Sequence, residues 1–365
     1  MRTKLVSILL VTLVVLSGCS ALTDATESAE ETPTATSGDS AAPLSTTVTF
    51  PNGGVTEEVA VVTVAVRNGD DGGADYDATL TADGETVASR SVTLAGGDSA
   101  TLSLSHTFEE PGEYELSVAN ETTTITVYET FTEFTDASMA AVDTVRINET
   151  TRFDATLTTG GRTVDATSTD EATIRKNFDA ETLYRNGTST YSAAGTTETE
   201  RVREWVVNGT RYSETVAEDG STTYSREPAD EFEDDDEDGA IGLLPYLRFE
   251  HTDEEYVIVI EADNDTDATE LWTSLGDGDE SLPASSVTRL YTEIRYDRQT
   301  GRITEQVFRV SGEGGEQFDS FDATFRQEYV TYGEPVSIEV PRTVRDEATR
   351  ADDDAGGFLA LSGRS

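Results

Sequence analysis

The stretch Leu290-Tyr291-Thr292-Glu293-Ile294-Arg295-Tyr296-Asp297-Arg298-Gln299-Thr300-Gly301-Arg302 alternates apolar and polar residues as far as Tyr296, then breaks at Thr300-Gly301. Successive side chains of a strand point to opposite faces, so period-two alternation reads as a strand with one buried face. Arg302 to Val310 resumes the alternation, so the segment predicts a β-hairpin. The same grammar recurs in both directions along the chain. Arg152-Phe153-Asp154-Ala155-Thr156-Leu157 alternates before Gly160-Gly161, and Thr182-Leu183-Tyr184-Arg185 precedes Asn186-Gly187, read here as a turn. Trp205-Val206-Val207 precedes a turn at Asn208-Gly209, and Tyr256-Val257-Ile258-Val259-Ile260 is a short, buried-looking strand. Residues 150–342 therefore predict a long antiparallel meander, with short helices inserted at Gly239–Leu247 and Asp267–Leu275.

Ahead of the meander the period changes. Phe131, Phe134, Ala137, Ala141 and Val145 recur at three- and four-residue spacing, which predicts one amphipathic helix within 129–148. Thr135-Asp136 offers a cap for a shorter version. Upstream, Val59–Val66 and Thr101–Leu104 alternate again, and Asn68-Gly69, Asp83-Gly84, Ala95-Gly96-Gly97 and Pro111-Gly112 punctuate the runs. Such spacing predicts a β-sandwich over 45–128. Its order of pieces, from Arg67-Asn68-Gly69 through Val92-Thr93-Leu94-Ala95-Gly96-Gly97 to Phe108-Glu109-Glu110-Pro111-Gly112-Glu113-Tyr114, resembles the CARDB-type immunoglobulin-like domain. That resemblance implies a seven-stranded sandwich and brings no catalytic residues.

The expected fold class is thus mainly β. An N-terminal immunoglobulin-like sandwich is followed, over 129–342, by an α+β antiparallel half-barrel wrapping a helix. Three features of the second part resemble the LolA/LppX group of half-barrel lipoproteins and carriers. They are the hairpin around Asp297-Arg298-Gln299-Thr300-Gly301, the closing strand Tyr332-Gly333-Glu334-Pro335-Val336-Ser337-Ile338-Glu339-Val340-Pro341, and the repeated Asn-Gly before an aromatic strand. The layout as a whole is similar to haloarchaeal lipoproteins. The resemblance implies an apolar concavity that takes acyl chains or lipoprotein tails. Candidate lining residues are Phe131, Phe134, Met139, Trp205, Val207, Tyr212, Leu243, Leu244, Tyr246, Leu247, Val257, Val259, Leu271 and Trp272. The competing reading makes the same residues an ordinary solid core, and sequence does not separate a filled half-barrel from an empty one.

The N-terminus addresses the chain to a membrane. Arg2 and Lys4 precede a mostly apolar run from Leu5 to Leu16, and Leu16-Ser17-Gly18-Cys19 resembles the lipobox of prokaryotic lipoproteins. Residues 1–18 are read as a lipoprotein signal peptide and Cys19 as the lipid attachment point. The apolar run is too short to span a bilayer, so the expected anchor is lipid, on the extracellular face of the cell membrane. Residues 19–44 are rich in Ser, Thr, Ala, Asp, Glu and Pro and predict a disordered tether, and 343–365 a disordered tail.

Charge narrows the partners. The formal net charge is −47, from 72 acidic against 25 basic residues, and the only lysines are Lys4 and Lys176. A chain of this kind resembles haloarchaeal proteins, whose mutual repulsion is screened in molar salt. Phosphate backbones need a basic patch, so no nucleic-acid partner is expected. The expected partners are the membrane, a hydrophobic ligand, and an envelope or S-layer protein. A single cysteine allows no internal disulfide and no cysteine-rich zinc site. His106 falls within a strand pattern and His251 before an acidic stretch, and neither sits beside a nucleophile, so no enzyme and no cofactor are expected. Asp234, Asp236 and Asp238 match the first half of a calcium loop, but the position of its bidentate glutamate is Pro245, so they read as a solvated acidic loop or a weak cation site. Asn120, Asn148, Asn186, Asn208 and Asn264 each open an Asn-x-Thr sequon and are glycosylation candidates on an exported chain.

Overall fold

The computed structural model describes residues 44–159, 161–229, 247–252, 254–263, 265–274, 286–313 and 318–348. Cys19, the tether, the acidic run at 234–238, Leu243, Leu244, Tyr246, Asn264 and the last residues of the tail lie outside them. The chain divides into two compact units. Among the described residues, one holds 44–141 and the hairpin tip Asp297–Arg302; the other holds those of 142–296 and 303–348.

The first unit is the immunoglobulin-like sandwich. Its strands are β1 (Leu44–Thr49), β2 (Gly53–Val55), β3 (Val59–Asn68), β4 (Ala74–Ala82), β5 (Glu85–Leu94), β6 (Ser99–Thr107), β7 (Gly112–Val118) and β8 (Glu121–Tyr128). A three-stranded sheet runs β1-β3-β6 and a five-stranded sheet runs β2-β8-β7-β4-β5. Their inner faces meet in one core. Val62, Val64 and Leu104 come from one sheet, and Leu80, Leu116, Val118, Ile125 and Val127 from the other. Only the short β2 pairs in parallel, with β8. The Tyr114 hydroxyl donates to the Glu110 carbonyl at 2.9 Å, a tyrosine corner of the immunoglobulin type. Asn68, fully buried, donates to the carbonyls of Gly72 (2.6 Å) and Ala95 (3.1 Å), tying together the loops after β3 and β5.

Helix α1 (Phe131–Ala140) follows β8 in the same unit. Its start is set by a capping box: the Glu133 amide donates to Thr130 Oγ1, and the Thr130 amide donates to the Glu133 carboxylate. The helix is shorter than the periodicity implies. It stops at Ala140, and β9 already begins at Thr144. Thr144, Val145 and Ile147 are β-branched, and Val145 and Ile147 alternate onto one sheet face, so tertiary packing overrides the helical match at Val145.

The second unit is a single antiparallel sheet of eleven strands, curled into a half-barrel. Its strands are β9 (Thr144–Thr159), β10 (Arg162–Asn177), β11 (Thr182–Ala193), β12 (Thr196–Val207), β13 (Thr210–Ala217), β14 (Thr222–Pro228), β15 (Leu247–His251), β16 (Glu255–Ala262), β17 (Val287–Asp297), β18 (Ile303–Glu313) and β19 (Ser320–Tyr332). The order is β14-β13-β12-β11-β10-β9-β19-β18-β17-β16-β15, so two meanders are zipped together where β19 pairs with β9. The helix wrapped by this sheet is α2 (Asp265–Ser274), between β16 and β17. It buries Ala268, Leu271 and Trp272 against Ile260, Leu290, Phe308, Val310, Phe321 and Phe325.

Two further expectations are corrected. Asn186-Gly187 is no turn; it lies in the middle of β11, with Gly187 opposite Ala172 and Val202. A Cβ on Gly187 would stand 2.7 Å from the Glu171 carbonyl oxygen and 2.8 Å from the Ala172 Cβ, so glycine here permits close strand approach. The hairpin turns instead at Ala194-Gly195, both left-handed. Nor is the tail without structure from 343: residues 342–348 are helical, and Val344 and Ala348 are buried.

Candidate functional site

Residues directly opposite one another in a ladder share a face, so the register sorts the half-barrel into an inner face, which carries α2, and an outer face. Three successive ladders on the inner face define the site. One runs Ile294, Gln306, Gln327, Glu149, Ala172, Gly187 and Val202; the next includes Ile147, Ile174, Arg185 and Glu204; the third includes Val145, Lys176, Leu183 and Val206. The polar members of these ladders form a belt between two apolar clusters, and the next inner ladder adds Thr151, Asp170, Ser189 and Glu200 to it. On one side lies the cluster under α2, and on the other lie Val142, Val145, Ile147, Ile174, Leu183 and Val206.

The belt is largely buried and mutually satisfied. The Glu149 side chain is 2% exposed and Arg185 11%. Arg185 Nη2 donates to Glu149 Oε1 at 3.2 Å, and its Nη1 stands 3.5 Å from Glu204. Gln327 Nε2 donates to the second Glu149 oxygen at 3.0 Å, and the Tyr329 hydroxyl stands 3.2 Å from Gln306 Oε1 and 3.3 Å from Gln327 Oε1. Burial alone would lower the Arg185 guanidinium; Glu149 and Glu204 outweigh it and hold the group above its ordinary value. Burial pushes the Tyr329 phenol well up. Lys176 differs from the rest. The residue is half-buried; burial lowers its amine, the charge of Glu149 opposes this, and among the described residues no ion pair and no hydrogen bond engages it.

Among the described residues, the structure does not bring the expected lining together. Trp272 and Leu271 reach the inner face from α2. Trp205, Val207 and Tyr212 lie on the outer face, where Trp205 is covered by Val340 and Val344 of the C-terminal segment. Val257 and Val259 are buried but register with Glu250 and Arg248, on the face opposite Ile260. Phe131, Phe134 and Met139 belong to α1 in the sandwich unit, where Phe134 packs near Tyr128. Leu247, on the edge strand β15, is 40% exposed. Glu149, Arg185, Gln306, Gln327 and Lys176 were not foreseen. Their signal is the polar residue at the inward position of an alternating strand, which becomes visible only once register is known.

Of the sequons, Asn120 and Asn208 sit at exposed hairpin turns. Asn148 and Asn186 lie within strands on the outer face, at a shallow polar depression of ≈ 330 Å³ also lined by Thr150, Thr173, Thr188 and Arg201. His106 packs edge-on against Phe108, and His251 is exposed on β15. Among the described residues no helix is long and apolar enough to cross a membrane. In comparison with known proteins, no family model matches the chain and no curated protein matches it.

Proposed function

We propose that this is a lipid-anchored protein of the extracellular face of the cell membrane, whose half-barrel takes a hydrophobic ligand such as a lipid or lipoprotein tail. Cys19 is its attachment point and the acidic surface its adaptation to high salt; it carries its ligand without chemical conversion. The observation behind this reading is the inner face itself. Two apolar clusters on one curled sheet are separated by a belt of buried polar groups, a surface that matches an amphiphile better than it matches water. The LolA/LppX resemblance read from the sequence points the same way.

A second reading has its own support. Helix α2 fills part of the inner face with Ala268 and Leu271, both fully buried, and Trp272. A half-barrel plugged in this way suits a structural or adhesive envelope protein that meets other proteins through its surface. The test is a Cys19→Ser protein exported from a halophilic host, purified in molar salt without detergent and extracted for lipid mass spectrometry. A stoichiometric lipid, or uptake of a fluorescent lipid by the folded protein, supports the carrier. A clean extract with no uptake sinks it and leaves the structural reading.

A further inference from the structure

Lys176 is the only lysine in the chain apart from Lys4 of the signal segment, and every other cation is an arginine. Several arginines of the half-barrel are paired with carboxylates: Arg185 with Glu149 and Glu204, Arg203 with Glu214, Arg211 with Glu227, and Arg295 with Glu293 and Glu255. Among the described residues Lys176 has no ion-pair partner. It stands in β10 directly between Val145 and Leu183, two residues from Ile174, on the inner face beside the apolar cluster those residues build. The acid whose charge acts on it, Glu149, has both oxygens committed, one to Arg185 and the other to Gln327.

A cation placed among apolar side chains without a counter-ion is costly, and it is relieved when an anion arrives with it. An ammonium on a flexible four-carbon stem reaches such a partner as a point charge. We propose that the half-barrel ligand is an amphiphile with an acidic headgroup, carboxylate or phosphate monoester, and that Lys176 is the residue that pairs with this headgroup while the tail lies on the inner-face apolar cluster. This rests on the hydrophobic-ligand reading above. The lowered proton affinity of the free amine agrees with it, because a bound anion would raise that affinity again.

The test uses the full chain with Cys19→Ser in molar salt, and three probes of equal chain length: a pyrene-labelled hexadecanoic acid, the matching alkyl phosphate and the matching alcohol. Lys176→Met is expected to weaken one or both acidic probes at least tenfold and to leave the alcohol unchanged, while Lys176→Arg retains most of the acid affinity. Whichever acidic probe shows the larger loss identifies the headgroup. Acid binding that is equal in Lys176→Met and the parent overturns the lysine assignment and leaves the carrier reading standing. Failure of all three probes to bind the folded parent overturns the carrier reading and the assignment with it. A second measurement does not depend on a variant folding. Reductive methylation with carbon-13 formaldehyde labels Lys4, Lys176 and the amino terminus alone. The Lys176 resonance should titrate at higher pH when the acidic probe is bound and not when the alcohol is bound; an unchanged titration overturns the proposal.

Discussion

At the scale of single residues, the belt is where charge and burial conflict. Removing one member of a buried ion pair strands the other, and the usual cost is about 3–5 kcal/mol. Glu149→Leu and Arg185→Met should each destabilise the fold by about 3 kcal/mol, less the share of Arg185 that Glu204 still satisfies. The double variant should cost well below the sum, because no lone charge remains. Denaturant unfolding of the four proteins in molar salt gives this cycle, and strict additivity would show that the pair is not coupled. Lys176 makes a prediction of opposite origin. Its proton affinity is lowered in the folded protein relative to the ordinary 10.5, so above the folded value the unfolded chain holds the extra proton. Stability contributed by this site is therefore complete above about pH 10.5 and is lost as pH falls through the folded value. The stability of Lys176→Met relative to the parent should thus rise as the pH falls through that window. A constant difference would contradict the burial that lowers the amine.

At the scale of elements, glycine and the C-terminal segment carry the argument. Gly187→Val puts a side chain where the Glu171 carbonyl and Ala172 already stand, and overpacking of this kind costs about 1–3 kcal/mol. The loss should appear as a lower denaturation midpoint with an unchanged slope. Truncation after Val336 removes Ile338, Val340 and Val344 from the outer face and uncovers Trp205. In a Trp272→Phe background the remaining tryptophan emission should shift to the red, and an unmoved spectrum would mean that the segment does not cover it. These elements also mark how far the sequence could be read. The hairpin around Thr300-Gly301, the Asn208-Gly209 turn, the sandwich strands and a short helix before β17 all follow from period and turn chemistry. Asn186-Gly187 misleads because the same dipeptide serves two backbone needs, a left-handed turn or a close strand contact, and only the ladder to Ala172 decides between them. Val145 fits a helical stripe and a strand face equally well. The inner belt is illegible for a stronger reason: whether Glu149 or Trp205 points inward depends on strand parity, and a shift of one residue exchanges the two faces.

At the scale of the whole molecule, the net charge of −47 is the largest electrostatic fact, and it bears on stability through salt. Most of the acidic residues have no basic partner in reach of number, since 72 acids face 25 bases. Folding gathers these charges into a smaller volume, so self-repulsion opposes the compact state wherever the screening length exceeds their spacing. That length is about 3 Å in molar salt and about 10 Å at 0.1 M. Exposed pairs such as Arg152–Asp154 at 2.6 Å offset little of this, because water and salt screen them. The buried Glu149–Arg185 pair is shielded from the added ions and should respond less. The melting temperature followed by circular dichroism should therefore rise steadily as salt is raised from 0.1 M to the molar range. Neutralising surface acids pairwise, for example Glu109→Gln with Glu110→Gln, should flatten that rise in proportion to the charge removed. The effect of Glu149→Leu, by contrast, should be nearly the same at both ends of the salt range. If the two kinds of substitution respond to salt alike, the dependence comes from specific ion binding and not from the screening of net charge.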